Sequence, residues 1–218
     1  MSDLEIIEKA IRDINGIHRS ISEDHFDKKE NIINLKKFEI KDCISSEGID
    51  SDFLEYINEY HSKLNLVIAY SDFEYDYASS DGRIRVKQKE SIQNKILHYY
   101  LTNNNGEIPI QKCLNDMLGF RLTFDCFDPC TDEFINMMTS LKSELTLMKW
   151  YNRNKEGYKG THIYFKNSKN IYFPWELQIW NSSDSKLNEL SHSEHKSKRN
   201  YINWPRQYKA GRLRKDDE

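Results

Sequence analysis

The sequence predicts an α+β (α/β-like) protein, in which one mixed β-sheet is flanked by helices and preceded by a helical N-terminal portion. The segment IYFPWELQIW (171–180) alternates apolar and polar residues, which is typical of a half-buried strand. Other segments repeat apolar residues at helical spacing. The 218 residues, 38% of them hydrophobic, suffice for one domain with an extension.

Two helices are predicted in the N-terminal portion. Ser2 and Glu5 form a capping box, and the helix that follows is expected to end near Gly16. Its apolar stripe is Leu4, Ile7, Ile11 and Ile14. A second helix begins at Ser51. Its apolar stripe is Phe53, Tyr56, Tyr60, Leu64 and Val67. Residues 1–79 are therefore predicted to be mainly helical.

Three strands and two further helices are predicted in the next part of the chain. FRLTFDCF (120–127) and THIYF (161–165) read as strands, and helices begin at Ser91 and Thr131. In the third strand, 171–180, Glu176 and Gln178 share the polar face. Pro174 indicates that this strand lies at an edge of the sheet or is irregular at that point.

The composition excludes several classes of protein. The N-terminus shows no secretory signal, and the longest apolar run, LNLVIAY, is too short to cross a bilayer. We therefore expect a cytoplasmic protein without a membrane partner. Four scattered cysteines indicate reduced thiols, because Cys126 and Cys130 with His192 and His195 match no common zinc spacing.

The charge distribution is uneven along the chain. A net charge of −3 does not indicate a general nucleic-acid binder. The segment 196–215, however, contains eight Lys and Arg residues and no acid, with three aromatic residues between them. This pattern is typical of contacts with a phosphate backbone and with bases. A solvated tail without a special role explains it equally well.

Several residues combine into a possible site for nucleotide chemistry. Asp116 precedes one strand and Glu176 lies on another, so the two carboxylates could hold Mg²⁺ at one end of the sheet. Cations surround the helix start at Ser91 and could clamp a polyphosphate. They are Arg83, Arg85, Lys87, Lys89 and Lys95. Tyr158 offers a stacking surface, and the glycines beside it would let the turn approach a nucleotide. Together these features indicate phosphoryl-type transfer between nucleotides, although each alone has an ordinary structural explanation.

Five motifs occur in an order that resembles the synthetase domain of the RelA/SpoT family. They are RVKQKESIQNK (85–95), NDMLGFR (115–121), GYKGTH (157–162), ELQI (176–179) and EH (194–195). The resemblance implies a nucleotidyltransferase-like domain over 80–200, followed by a basic C-terminal tail over 201–218. It also implies transfer of the β,γ-diphosphate of ATP to a ribose 3′-hydroxyl, with release of AMP.

The resemblance implies a group of residues that bind ATP. Arg85 would stack on the adenine. Three residues would lie near the phosphates, namely Lys87, Ser91 and Lys95. Arg121 would help to neutralise the polyphosphate.

The resemblance also implies catalytic and acceptor-binding residues. Asp116 would bind Mg²⁺. Glu176 would share the metal or take the proton of the 3′-hydroxyl, with Gln178 supporting it. Tyr158 would stack on the acceptor base, and His162 would contact an acceptor phosphate.

Two departures from the family pattern bear on the acceptor. Trp180 stands where the family usually has an arginine, and Asn154 stands where a lysine is frequent. Both changes would weaken the hold on the phosphates of a small acceptor such as GDP. Since Asp116 and Glu176 are both present, we expect a changed acceptor and not a lost activity.

Three functions remain open at this stage. The favoured one is a toxic small alarmone synthetase that modifies the 3′-terminal adenosine of tRNA and needs a neutralising antitoxin protein. The basic tail and the pairs Lys28–Lys29 and Lys36–Lys37 would suit an RNA acceptor. The alternative is a (p)ppGpp synthetase that uses GDP or GTP. The third is a non-catalytic module that binds nucleotides or RNA.

Overall fold

The computed structural model describes residues 1–146, 149–155 and 157–197. The predicted basic tail, 201–218, lies outside these residues. The helices are α1 (Asp3–Phe26), α2 (Ser51–Ala69), α3 (Phe73–Asp76), α4 (Lys89–Thr102), α5 (Ile110–Cys113), α6 (Asp132–Leu145) and α7 (Ser182–Ser197). The strands are β1 (Ile44–Ser45), β2 (Gly48–Ile49), β3 (Arg83–Val86), β4 (Leu118–Phe124), β5 (Lys149–Lys155), β6 (Tyr158–Phe165) and β7 (Trp175–Asn181).

Five of the strands form one mixed sheet in the order β3-β4-β7-β6-β5. The central pair, β4 and β7, is parallel, and the other three pairings are antiparallel. The predicted fold class, a mixed sheet flanked by helices, is confirmed. None of the helices in the described part of the chain is long and apolar enough to cross a membrane.

One face of the sheet is apolar and packs against helices. On β4 it consists of Leu118, Phe120, Leu122 and Phe124, all of which are buried. On β7 it includes Trp175, whose Nε1 donates a hydrogen bond to the hydroxyl of Tyr60 on α2 at 2.8 Å. Helices α1 and α2 share one hydrophobic core with the sheet. The division of the chain at residue 80 stays a prediction about sequence segments.

Two predicted boundaries and the predicted place of one strand differ from the structure. Helix α1 continues past Gly16 to Phe26, because residues after the glycine, among them His18, Ser22 and Phe26, are also buried against the core. The strand predicted to begin at 171 begins at Trp175, after Pro174. This strand is central in the sheet and not at an edge.

His18 links α1 to the chain segment before β7. Its Nε2 donates to the carbonyl oxygen of Phe173 at 3.0 Å, and its Nδ1 accepts from the amide of Asn167 at 2.6 Å. The ring is fully buried. Burial disfavours the charged imidazolium and lowers the pKa of His18 to about 4.

Replacement of His18 by Gln is predicted to change how stability depends on pH. In the wild type, the unfolded chain takes up a proton at His18 below about pH 6.5 and the folded chain does not. The free energy of unfolding of the wild type therefore falls by up to about 1.4 kcal/mol for each pH unit as the pH is lowered from 6.5 to 4. Gln cannot ionise, so the stability gap between the two proteins should narrow as pH falls. Urea unfolding at pH 7.5, 6.0 and 5.0 measures the gap, and a constant gap would contradict the prediction.

Candidate functional site

The second face of the sheet, which we call the polar face, carries side chains from all five strands. Residues paired directly across neighbouring strands lie on the same face of a sheet. One row across this face is Arg85, Gly119, Glu176, Tyr164 and Lys149. The next row is Arg83, Arg121, Gln178, His162 and Tyr151. The proposed catalytic carboxylate therefore lies in the middle of a row with a cation at each end.

The two predicted carboxylates lie at the same edge of the sheet. Asp116 comes two residues before β4, and Glu176 is the second residue of β7. Because β4 and β7 are adjacent and parallel, the beginnings of these strands lie side by side. Lys87 follows β3 at this edge, and its backbone N–H donates to the carbonyl oxygen of Met117 at 3.0 Å.

Asp116 is partly buried and lies between two lysines. Its Oδ2 lies 2.7 Å from Nζ of Lys87, and its Oδ1 lies 3.1 Å from Nζ of Lys95. Burial raises the pKa of Asp116, but the two ammonium groups outweigh it and hold that pKa well below its usual range. Burial lowers the pKa of Lys95, yet Asp116 and further neighbours raise it to about 12. For Lys87, burial prevails and the pKa is lowered. The structure thus brings three predicted site residues together.

Helix α4 begins beside this cluster. Its first residue is Lys89, two residues before the predicted start, and Ser91 lies in its first turn. The side chain of Gln88, which precedes the helix, makes no capping hydrogen bond. The amides of the first turn are therefore available to an anion.

Glu176 is held by three side chains. Its Oε1 accepts hydrogen bonds from Nδ1 of His162 at 2.7 Å and from the hydroxyl of Tyr164 at 2.6 Å. Its Oε2 accepts one from Nε2 of Gln178 at 2.7 Å. Burial raises the pKa of Glu176, but the hydrogen bonds from His162 and Tyr164 outweigh burial and lower that pKa. Tyr164 was not predicted, although alternation along THIYF puts it on the face of His162.

Tyr158 and His162 are more buried than contact with an acceptor nucleotide would require. Both are only 4% exposed. The hydroxyl of Tyr158 accepts from Nε1 of Trp180 at 3.0 Å and donates to Nε2 of His162 at 2.9 Å. The guanidinium of Arg153 lies 5.5 Å from the centroid of the Tyr158 ring. In this arrangement His162 contacts Glu176 in place of a phosphate, and the ring of Tyr158 is covered by protein.

Arg121 and Arg85 differ in their surroundings. Nη1 of Arg121 lies 2.6 Å from Oε1 of Glu189 on α7, and its guanidinium lies 4.2 Å from the centroid of the Trp180 ring. Its charge is therefore paired with α7 and not with the cluster around Asp116. Arg85 is exposed on β3 beside Gly119, where a Cβ would meet only Arg85, at 4.0 Å. Because Gly119 has no side chain, open space remains beside Glu176, its direct neighbour on β7.

The two glycines of the GYKGTH motif serve the protein itself. Gly157 has a φ of 79° in the turn between β5 and β6, a conformation that favours glycine. A Cβ at Gly160 would lie 2.9 Å from the hydroxyl of Tyr158 and 3.0 Å from Cδ1 of Trp180. Gly160 thus makes room for Trp180, and the expectation that these glycines admit a nucleotide stays a prediction.

The residues at this sheet edge fit a magnesium ion by their chemistry. Proteins often bind Mg²⁺ through one or two carboxylates, with water and substrate phosphates completing the shell. Asp116 and Glu176 are two such carboxylates on adjacent strands. No group of three or more His, Cys, Asp or Glu residues that could hold a metal occurs in the described ranges. Two carboxylates suit a metal whose other ligands are water and phosphate oxygens.

Comparison with known proteins finds distant similarity to solved structures. No protein-family model matches the chain, and no curated protein matches it in sequence. A GTP pyrophosphokinase family protein from Streptococcus pneumoniae is 16% identical, with a TM-score of 0.41, over 67% of this chain and 76% of that one. The small alarmone synthetase 1 from Bacillus subtilis is 17% identical, with a TM-score of 0.41, over 75% of this chain and 93% of that one. At these TM-scores the likeness is remote, and the chemistry rests on the chain's own residues.

Replacement of Gly160 by Ala is predicted to displace Trp180 and the hydroxyl of Tyr158. The added methyl group has no room, so a loss of about 1–3 kcal/mol in unfolding free energy is expected. Urea unfolding measures the loss. Gly16→Ala is the matched control: its methyl group enters open space within a helix, so stability should rise by about 0.5–1 kcal/mol. Equal effects at the two glycines would contradict the assignment.

Proposed function

We propose that this chain is an ATP-dependent pyrophosphotransferase of the RelA/SpoT type, which moves the β,γ-diphosphate of ATP to a ribose 3′-hydroxyl and releases AMP. One observation carries the proposal. Asp116 and Glu176 lie at the beginnings of adjacent parallel strands, and two partly buried lysines, one directly after β3 and one on α4, converge on Asp116. The motifs at 85–95, 115–121 and 176–179 thereby meet at one sheet edge.

The ATP side of the site lies along β3 and α4. Arg85 is exposed and can stack on the adenine. Lys87 and Lys95 supply two partly buried ammonium groups, and the first turn of α4 supplies backbone amides. Such donors suit a polyphosphate. Asp116 would hold Mg²⁺, which when bound supplies positive charge at the transferred phosphates, and Glu176 would either share this metal or take the proton of the 3′-hydroxyl.

Glu176 is the proposed general base. A carboxylate has about four lone-pair positions, and the described side chains occupy two on Oε1 and one on Oε2. Oε2 thus keeps one position that can take the proton of the 3′-hydroxyl. The hydroxyl oxygen then bonds to the β-phosphorus, the bond from that phosphorus to the α-phosphate oxygen breaks, and AMP leaves. Positioning and charge neutralisation supply most of the catalysis in such transfers.

The first candidate acceptor is the 3′-terminal adenosine of tRNA, with the chain acting as a growth-inhibiting toxin controlled by an antitoxin. Two observations favour this acceptor, which is a polyanion and has no 5′-diphosphate. Trp180 occupies the position of the family's arginine and packs against Arg121, whose charge is paired with Glu189. Lys36 and Lys37 are exposed and available to a polyanion. Lys28 and Lys29, in contrast, are paired with Asp24 and Glu59.

The second candidate acceptor is GDP or GTP, which would make the chain a (p)ppGpp synthetase. It is favoured by the complete GYKGTH motif, since Tyr158 and His162 are the residues that the family resemblance assigns to a nucleotide acceptor. In the observed arrangement both side chains would have to move to meet a guanine nucleotide. A non-catalytic module is the remaining alternative, and release of AMP would exclude it.

The test offers ATP labelled at the γ-phosphate to separate Mg²⁺-containing reactions with deacylated tRNA, GDP or GTP. The wild type is expected to release AMP and transfer label to tRNA. Glu176→Gln and Asp116→Asn should each reduce the rate about a hundredfold or more, because they remove the base and a buried charge partner. Asp72 is exposed and directly precedes α3, so Asp72→Asn is the matched control and should retain activity.

Each outcome of this experiment has a distinct meaning. Label on GDP or GTP alone would overturn the tRNA proposal and support the second candidate. No AMP with any acceptor would contradict the pyrophosphotransferase itself. Full activity of Glu176→Gln would remove Glu176 from the proposed chemistry.

A further inference from the structure

The polar face ends at β5, which is an edge strand and, among the described residues, pairs with β6 alone. Alternate residues of β5 lie on the polar face, because they pair directly with polar-face residues of β6. Lys149 pairs with Tyr164, and Tyr151 pairs with His162. None of the five family motifs includes β5. Its contribution to the polar face is therefore not explained by the resemblance.

Tyr151 is the accessible end of a row of parallel rings. Its ring lies 5.4 Å from that of His162 at an interplanar angle of 5°, and 6.0 Å from that of Tyr164 at 17°. Tyr151 is 37% exposed, whereas His162 and Tyr164 are each 4% exposed. In the part of the chain that the structure describes, no strand lies beyond β5, so no further strand covers the exposed surface of the Tyr151 ring. The hydroxyl of Tyr151 lies 3.3 Å from that of Tyr164, which fixes the ring.

Two cationic side chains of β5 lie on the polar face of the sheet on either side of Tyr151 along the strand. Nζ of Lys149 lies 5.3 Å from the centroid of Tyr151, and Arg153 lies two residues further along the strand. Both side chains are exposed. β5 contains no acidic residue. An accessible aromatic ring between cations is the combination that binds single-stranded nucleic acids, by base stacking and phosphate contact.

The distance from Glu176 decides which nucleotide could use this ring. β5 lies two strands from β7, which is roughly 10 Å across the sheet. A base on the outer face of Tyr151 lies further away still. That is too far for the base of the ribose whose 3′-hydroxyl reacts at Glu176. It is the region that the preceding nucleotide of a single strand would occupy.

We propose that Tyr151, Lys149 and Arg153 form a subsite for a single-stranded RNA 3′ end, in which the base of the penultimate nucleotide stacks on Tyr151. The two cations contact the adjoining phosphates. The proposal rests on the proposed function, because the terminal ribose is taken to react at Glu176. It gives the acceptor a minimum length of two nucleotides for full affinity.

The kinetic test compares Tyr151→Leu with the wild type on adenosine, the dinucleotide CpA, the trinucleotide CpCpA and deacylated tRNA. The KM for CpA and longer acceptors should rise about tenfold in the variant, whereas the KM for ATP and the reaction with adenosine should not change. Tyr151→Phe keeps the stacking surface and loses only the hydroxyl contact with Tyr164, so its KM for these acceptors should rise much less than that of Tyr151→Leu. An acceptor that lacks the penultimate base should show no difference between wild type and Tyr151→Leu.

A binding test separates this subsite from catalysis. Fluorescence anisotropy of a labelled single-stranded RNA ending in CpCpA, without ATP, measures the dissociation constant. Tyr151→Leu and the double variant Lys149→Ala/Arg153→Ala should both weaken binding, and the latter should also lower its salt dependence. Tyr75→Leu is the matched control, since Tyr75 is 85% exposed and lies on α3.

Several results would overturn the subsite. One is a Tyr151→Leu variant that binds the labelled RNA as tightly as the wild type. Another is an equal fall in kcat for all acceptors with no change in KM, which would mean that Tyr151 only supports His162. Use of GDP or GTP alone would remove the RNA acceptor and the subsite with it. Absence of AMP with wild type is a failure of the proposed function, which the binding test distinguishes from failure of the subsite.

Discussion

The register of β4 against β7 is the constraint on which the site depends. It sets Gly119 beside Glu176, and it brings Asp116 to the same sheet edge. Because side chains alternate along a strand, a slip of one residue would turn Glu176 and Gln178 toward the apolar core and Leu177 toward the polar face. The burial of Trp175, Leu177 and Ile179 against the helices opposes such a slip. The hydrophobic core thus fixes the geometry of the charged groups on the opposite face.

The charges of the site, partly buried around Asp116 and buried at Glu176, are arranged in two groups. Asp116 is neutralised by Lys87 and Lys95, and Glu176 is held by hydrogen bonds from His162, Tyr164 and Gln178. Removal of one partner from such a group leaves an uncompensated buried charge, which costs far more than an exposed ion pair contributes. The site is therefore organised before any substrate binds. This organisation suits a transfer in which the protein supplies mainly position and charge.

The sequence correctly predicted those helices and strands whose burial produces a periodic pattern of apolar residues. Alternation predicted β4 and most of β7, and helical spacing predicted α2 and α6. It missed β3, in which apolar residues alternate with arginines over only four positions, and β5, in which nearly all residues are polar and exposed. It ended α1 too early, since His18 and Ser22 are polar residues that face the core. The burial of Tyr158 and His162 depends on Trp180 and Glu176 of another strand, and local sequence does not encode such cross-strand contacts.

The charges of β5 have two physical explanations, and only one of them accounts for Tyr151. Lysine and arginine on an edge strand discourage pairing with another chain, and this alone would explain Lys149, Arg153 and Lys155. It does not explain a tyrosine on the same face. An exposed aromatic ring at an edge adds apolar surface, which works against such protection. Its parallel alignment with His162 and its hydroxyl contact with Tyr164 hold the ring in a fixed orientation at the edge of the polar face. A ring fixed in that way, with cations beside it, is better explained as a binding surface than as protection of the edge.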